Sequence, residues 1–83
     1  MNIVWSKENC PNCLKAKDLL RQHDISFEER KVGEGWSKEE LLEAIPTARS
    51  VPQITLYGEY IGGYDKLVEY FEQNTTGSTE GKL

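Results

Sequence analysis

The two cysteines of the chain lie at the junction between a strand-like segment and a helix-like segment. Residues 2–5 form a short apolar run, which is typical of a buried strand and too short for a helix. After Cys10 and Cys13, apolar residues recur at helical spacing and predict a helix from Pro11 to about His23. The pair therefore stands where a strand ends and a helix begins, which restricts the folds open to the chain.

The segment after this helix predicts a parallel strand and a second helix. Apolar and charged residues alternate from about Ile25, which indicates a second strand. A strand, helix, strand unit normally has parallel strands joined by a right-handed crossover. Ser37 followed by Glu40 is the pattern of a capping box and predicts a helix, which Pro46 would end.

Two more strands and a third helix complete the predicted domain. Strand-forming residues on both sides of Gly58 predict a hairpin that turns at this glycine. Asp65 is a good N-cap for a third helix that ends near Asn74. We therefore expect one domain over residues 1–74. Residues 75–83 are mostly small and polar, and we expect them to form a disordered tail.

Length and charge exclude several classes of protein. A chain of 83 residues can close one hydrophobic core. The formal net charge of -4 repels phosphate backbones, so nucleic acid is not expected as a partner. The sequence has no run of about twenty apolar residues, so no membrane helix is expected. It also lacks the basic and apolar start of a secretory signal, and a cytoplasmic location is expected.

Three kinds of site are compatible with the spacing of the cysteines. A structural disulfide across so short a loop would constrain the unfolded chain only slightly and is unusual in the cytoplasm. A structural zinc ion needs four ligands, but the chain offers two cysteines and the single histidine His23. His23 is expected instead at the C-terminal end of the first helix, and no metal site is expected. A redox-active dithiol is the third possibility, and it also accounts for the surrounding sequence.

The position of the pair predicts different roles for the two thiols. Pro11 at the first helical position places Cys10 at the N-cap, where free backbone N–H groups stabilise a thiolate. Lys7 adds a positive charge near the same sulfur, so Cys10 is predicted to be the nucleophile. Cys13 lies one turn inside the helix and is predicted to be the resolving thiol, which releases the reduced partner.

Three separated motifs connect the chain with a known family. They are SKENCPNC at residues 6–13, SVPQI at residues 50–54 and IGGYDKL at residues 61–67. From about residue 2 to residue 71, the chain resembles the glutaredoxins of the dithiol type, and small bacteriophage glutaredoxins most of all. The resemblance implies a thioredoxin-like α/β fold, with a four-stranded mixed sheet and three helices in the order β-α-β-α-β-β-α.

The resemblance also implies a glutathione site around the cysteines. Pro52 would follow a cis bond, and the backbone of Val51 would pair with the cysteinyl part of glutathione. After Gly63, the N–H groups of Tyr64 and Asp65 would bind the γ-glutamyl carboxylate. The Asp65 carboxylate would pair with the ligand ammonium, although an N-cap role alone also explains this residue.

Further positions border this implied site. Lys7 would approach the glycyl carboxylate of glutathione, unless it is simply a solvated lysine, and Arg49 is a weaker candidate for the same contact. Asn12 would also contact glutathione, but it replaces the tyrosine most frequent in the family and so offers less apolar surface. Ser50 replaces the more common threonine and keeps the hydroxyl group.

The predicted function is that of a glutathione-dependent thiol–disulfide oxidoreductase. It would reduce protein disulfides and glutathione mixed disulfides as a monomer in the cytoplasm, or in the host cytoplasm if the chain is viral, with glutathione as the reductant. The similarity to bacteriophage glutaredoxins implies ribonucleotide reductase as a hypothetical client. Two alternatives stay open: a glutaredoxin dimer that binds an iron–sulfur cluster, and a redoxin that is reduced by thioredoxin reductase.

Overall fold

The computed structural model describes the backbone of residues 1–79 and the side chains of residues 1–73. Its elements follow the order β-α-β-α-β-β-α that the family resemblance implies. They are β1 (Ile3–Lys7), α1 (Pro11–Gln22), β2 (Glu28–Val32), α2 (Lys38–Ala44), β3 (Gln53–Leu56), β4 (Glu59–Gly62) and α3 (Tyr64–Thr79). No helix within the described residues is both long and apolar enough to cross a membrane.

The four strands form one mixed sheet in the order β2-β1-β3-β4. β1 runs parallel to β2, with Val4 opposite Glu29. It runs antiparallel to β3, with Val4 opposite Ile54, and β3 runs antiparallel to β4. The predicted parallel unit, the hairpin at Gly58 and the mixed sheet are therefore confirmed.

The core lies on both faces of this sheet, because successive strand residues point to opposite sides. Val4 packs with side chains of α1 and α3 on one face. On the other face, Ile3 and Trp5 pack with Leu41 of α2 and with Ile45, which follows the helix. The domain thus has three layers, with α1 and α3 on one side of the sheet and α2 on the other.

The starts of α1 and α2 follow the predicted local chemistry. Pro11 is in the first turn of α1, with Cys10 at its N-cap. At the start of α2, the Glu40 N–H donates to Ser37 Oγ at 3.0 Å, and the Ser37 N–H donates to Glu40 Oε1 at 2.7 Å. This reciprocal pair is the predicted capping box.

The second strand begins later than the sequence predicts. β2 begins at Glu28 rather than near Ile25. The Ile25 N–H instead donates to the Leu20 carbonyl oxygen at 3.0 Å, beyond the end of α1, and Ile25 and Phe27 pack against the core. The apolar alternation therefore reflects the packing of a connecting segment, which periodicity alone cannot distinguish from a strand.

The third helix differs from its prediction at both ends. It begins at Tyr64, so Asp65 lies in the first turn rather than at the N-cap. It continues to Thr79, beyond the predicted end near Asn74. No proline interrupts this stretch, and the low helix propensities of threonine and glycine cost only about 1 kcal/mol or less per residue. The predicted tail begins at residue 75, but the backbone of residues 75–79 belongs to α3. Residues 80–83 lie outside the described residues, and their disorder stays a prediction.

Candidate functional site

The two cysteines form a disulfide bond at the start of α1. Cys10 has the extended backbone of an N-cap, and its Sγ accepts a hydrogen bond from the Cys13 N–H at 3.1 Å. The sulfur thus takes the place that a serine or aspartate oxygen occupies at most helix starts. The N-cap position predicted for Cys10 is confirmed.

The two sulfurs differ in access. Cys10 is 8% exposed, whereas Cys13, one turn inside the helix, is 1% exposed. A partner from solution therefore reaches Cys10 first. This order of access agrees with the predicted roles of nucleophile for Cys10 and resolving thiol for Cys13.

The segment before β3 lies directly against the disulfide. The peptide bond between Val51 and Pro52 is cis, as the family resemblance implies. The Val51 carbonyl oxygen lies 3.7 Å from Cys10 Sγ. In the disulfide this sulfur carries no hydrogen, so the contact is one of packing. It brings the two motifs at residues 6–13 and 50–54 together.

A cavity of about 310 Å³ extends from this segment to the start of α3. We call it the α3 groove. It is bordered by every residue predicted to bind glutathione except Lys7 and the weaker candidate Arg49, and by two further residues. The bordering residues are Asn12, Ser50, Val51, Pro52, Gly63, Tyr64, Asp65 and Lys66. The structure therefore places these separated positions in one groove, although their contact with glutathione stays a prediction.

Gly63, at the start of α3, lies near the backbone of Pro52 in the α3 groove. A Cβ atom at this position would lie 3.5 Å from the Pro52 carbonyl oxygen, in ordinary van der Waals contact. The sequence prediction did not include Lys66, which also borders the groove. Its position next to Asp65 in the IGGYDKL motif was the available signal.

Lys7 lies outside the α3 groove, at the end of β1. It borders a cavity of about 490 Å³ next to α2, together with Arg49, Ser50 and Val51. We call this cavity the α2 groove. Lys7 also borders a smaller cavity of about 260 Å³ that contains both cysteines. The predicted site residue thus lies beside the cysteines, on the side away from α3.

Two other lysines near the cysteines are paired with carboxylates. Lys17 Nζ and Ser6 Oγ donate to Glu29 Oε2 at 2.8 and 2.7 Å, and these hydrogen bonds hold the pKa of Glu29 below its usual range. Lys31 Nζ lies 3.1 Å from Glu8 Oε1, and this hydrogen bond raises the pKa of Lys31.

Lys7, in contrast, forms no ion pair with any side chain of residues 1–73. Its ammonium group can therefore act on the Cys10 sulfur or on an anionic ligand. In the same part of the chain, no three histidine, cysteine, aspartate or glutamate side chains are grouped closely enough to bind a metal ion.

Known proteins share both the sequence and the architecture of this chain. Glutaredoxin-C4 of Arabidopsis thaliana is 36% identical over 75 residues, which cover 84% of this chain and 54% of that protein. Glutaredoxin 3 of Escherichia coli is 36% identical over 64 residues, which cover 77% of each chain. The chain spans about half the length of the curated plant relatives that it matches.

The solved structures confirm the thioredoxin-like fold. The crystal structure of a buckwheat glutaredoxin–glutathione complex matches with a TM-score of 0.74 and 24% sequence identity, over 88% of this chain and 69% of that one. The family profile of glutaredoxin matches residues 2–61, which include the cysteines and the segment before β3. The chain therefore belongs to the glutaredoxin family.

Proposed function

We propose that this chain is a glutathione-dependent oxidoreductase that reduces protein disulfides and glutathione mixed disulfides. The position of the Cys10–Cys13 disulfide carries this proposal. Cys10 Sγ lies 3.7 Å from the carbonyl oxygen of Val51, and Val51 borders the α3 groove that extends to Asp65. The more exposed sulfur of the disulfide is thus next to one end of this groove, which supports the proposal.

Reduction of a client disulfide would take two exchange steps. The Cys10 thiolate attacks one sulfur of the client disulfide, which forms a mixed disulfide and releases the first client thiolate. The Cys13 thiolate then attacks Cys10 Sγ, which forms the Cys10–Cys13 disulfide and releases the second client thiolate. Two electrons pass from the protein to the client, and solvent supplies the two protons.

Glutathione would restore the dithiol. One glutathione thiolate attacks Cys10 Sγ and releases Cys13, and a second glutathione attacks the bound one to give glutathione disulfide and free Cys10. The γ-glutamyl end would lie in the α3 groove, where Asp65 supplies a carboxylate to its ammonium group. The buckwheat glutaredoxin, which shares this fold, is seen in complex with glutathione.

Local groups would stabilise the attacking thiolate. The Cys13 N–H already points at Cys10 Sγ, and in the reduced protein it would donate to the thiolate at the same position. Lys7, which forms no ion pair within residues 1–73, would add a positive charge on the side of the α2 groove. Both interactions favour the charged form of the sulfur, which is the nucleophilic form.

The experiment that tests this proposal is reduction of a glutathione mixed disulfide, coupled to glutathione reductase. We compare the wild-type chain with Cys10→Ser and Cys13→Ser. The Cys10→Ser variant is expected to be inactive, because it lacks the attacking sulfur. The Cys13→Ser variant is expected to reduce glutathione mixed disulfides but not intramolecular protein disulfides. Equal activity of the three proteins would contradict the proposal.

The client and the setting of the reaction are proposals from the sequence. The size and motifs of the chain favour small bacteriophage glutaredoxins as relatives, and these imply ribonucleotide reductase as a client, with a monomer acting in the cytoplasm. An assay of ribonucleotide reduction with this chain as the sole thiol carrier tests the client. Turnover no faster than with glutathione alone would exclude it.

A further inference from the structure

The α2 groove has a volume of about 490 Å³, and of the residues assigned to the proposed glutathione site only Lys7 and Val51 border it. It begins at Ser50 and Val51, beside Cys10, and extends along α2 away from α3. Its apolar lining includes Val32, Leu41 and Leu42. A cavity of this volume with an apolar lining can accommodate more than the glycyl end of glutathione.

Three cations border the same groove. They are Lys7 at the end of β1, Lys38 at the start of α2, and Arg49 in the segment before β3. Within residues 1–73 none of the three forms an ion pair. The cations that do form ion pairs there lie elsewhere, at Lys17, Arg21, Arg30, Lys31 and Lys66.

The charge of the groove is opposite to that of the whole chain. The chain has fourteen acidic and ten basic residues, and its formal net charge is -4. Nevertheless, among the described residues that border the α2 groove none is acidic. On α2 itself, Glu39, Glu40 and Glu43 lie outside the border, and Glu40 is engaged in the capping box. The positive character is therefore local to the groove.

We propose that the α2 groove binds an extended client segment that carries apolar and acidic residues beside its disulfide. The apolar residue would cover Leu41 and Leu42, and the acidic residues would pair with Lys38 and Arg49. The proposal rests on the proposed reduction of protein disulfides by Cys10. The client occupies the groove before glutathione arrives, since both place a sulfur at Cys10 in successive steps.

The positive charge of the α2 groove would mainly raise the rate at which the chain and an acidic client associate. Exposed cations contribute little each to affinity, but several of one sign around a groove accelerate the approach of an oppositely charged partner. The net charge of the chain acts in the other direction and favours basic partners at long range. A preference for acidic clients would therefore have to arise from the groove.

The test uses two synthetic peptides of equal length, each closed by one disulfide. One carries glutamate and leucine beside the reacting cysteine, and the other carries lysine and leucine at the same positions. The pre-reduced full chain is mixed with each peptide without glutathione, and the second-order rate constant is measured by acid quenching and mass spectrometry. We expect the acidic peptide to react about tenfold faster at about 0.05 M salt, and the difference to narrow at about 0.5 M salt.

Three variants locate the preference. Lys38→Glu is expected to lower the preference for the acidic peptide to about twofold, because one attraction becomes a repulsion. Arg21→Glu changes the charge of the chain equally but lies about 16 Å along α1 from Cys10, and it should leave the preference unchanged. Leu42→Asn is expected to slow both peptides about threefold, because both carry the leucine.

Several results would overturn the proposal. The first is equal rates for the two peptides with the wild-type chain, and the second is equal effects of Lys38→Glu and Arg21→Glu on the preference. The third is a wild-type dimer in sedimentation that Lys38→Glu dissociates, because a second copy of the chain would then cover the groove. The absence of glutathione from the assay separates the two proposals. If the chain prefers the acidic peptide but glutathione does not reduce its Cys10–Cys13 disulfide, only the proposal that glutathione is the reductant is contradicted.

Discussion

The sulfur of Cys10 and the carbonyl oxygen of Val51 lie 3.7 Å apart, although 41 residues separate them in the chain. The strand pairing brings them together, because β1 leads directly to the cysteines and β3, which follows Val51, lies beside β1. A cysteinyl ligand that paired with the Val51 backbone, as proposed, would therefore lie next to Cys10. The rigid sheet thus provides the alignment that disulfide exchange requires.

Asp65 is predicted to determine the affinity for glutathione. Asp65→Asn removes the charge that would pair with the ligand ammonium but keeps the backbone N–H groups at the start of α3. We expect KM for a glutathione mixed disulfide to rise about tenfold and kcat to change little, because a charge-assisted hydrogen bond is lost. Steady-state kinetics measures both constants.

The matched control for this prediction is Glu69→Gln. Glu69 lies on the same helix, one turn further, and its exposed carboxylate is 3.7 Å from Lys66 Nζ. The control should keep the wild-type KM. If Asp65→Asn also keeps it, Asp65 has only a structural role in the first turn of α3.

Lys7 is predicted to accelerate the reaction of Cys10. We expect Lys7→Met, in a Cys13→Ser background, to slow alkylation of Cys10 by iodoacetamide at pH 7 about threefold, because a positive charge near the thiolate is lost. The alkylation rate is measured by quenching samples at successive times and quantifying alkylated Cys10 by mass spectrometry. Arg21→Met removes a remote charge as a control, and a similar slowing in that variant would attribute the effect to net charge alone.

Glu29 is predicted to stabilise the fold in a pH-dependent manner. Its pKa lies below the ordinary value of 4.5 because Lys17 and Ser6 donate hydrogen bonds to its carboxylate. The stabilisation is therefore full above pH 4.5 and is lost as the pH falls through the lower pKa of the folded state. We expect Glu29→Gln to lower the free energy of unfolding at pH 7 by about 1 to 2 kcal/mol.

Urea unfolding at several pH values checks this prediction. The difference between wild type and Glu29→Gln should shrink as the pH falls below 4.5. Glu43→Gln, which removes an exposed carboxylate on α2, is the control and should show no such trend. If the difference in free energy of unfolding stays constant from pH 7 to below pH 4.5, the charge of Glu29 does not contribute to stability.

Tyr57 is predicted to weaken the hairpin between β3 and β4. Tyr57 and Gly58 both have positive φ, at 55° and 81°, which is the conformation of a two-residue turn that favours Asn-Gly. The Tyr57 side chain is 66% exposed, so its removal costs little packing. We expect Tyr57→Asn to raise the free energy of unfolding by about 0.5 to 1 kcal/mol.

Tyr57→Ala is the matched control, because it removes the same ring but does not tolerate positive φ. Chemical denaturation of the three proteins should rank Tyr57→Asn above wild type and above Tyr57→Ala. A Tyr57→Asn variant less stable than wild type would show that contacts of the tyrosine ring outweigh the strain of the turn.

Local chemistry in the sequence predicted much of the fold. Pro11 after Cys10 placed the start of α1, and the pair Ser37 and Glu40 placed the start of α2, because both signals act within one helical turn. The start of β2 was misplaced because Phe27 packs on the core from a connecting segment. That packing depends on α1 and α3, which residues near Phe27 do not reveal.

The candidate site was less accessible to local reasoning. Helical position alone predicted different access for Cys10 and Cys13, and their exposures agree. The assembly of Asn12, Val51 and Asp65 into one groove depends on strand pairing over long separations, and only the family motifs suggested it. The position of Lys7 on the opposite side, toward α2, needed the three-dimensional structure.

Ser50 and Val51 border both the α3 groove and the α2 groove, whereas Asp65 borders only the first and Lys38 only the second. On the two proposals, mutations on α3 would change the use of glutathione without altering the choice of client. Mutations on α2 would alter the choice of client alone. Substitutions at the shared pair would change both at once, so evolutionary diversification should concentrate on the two helices.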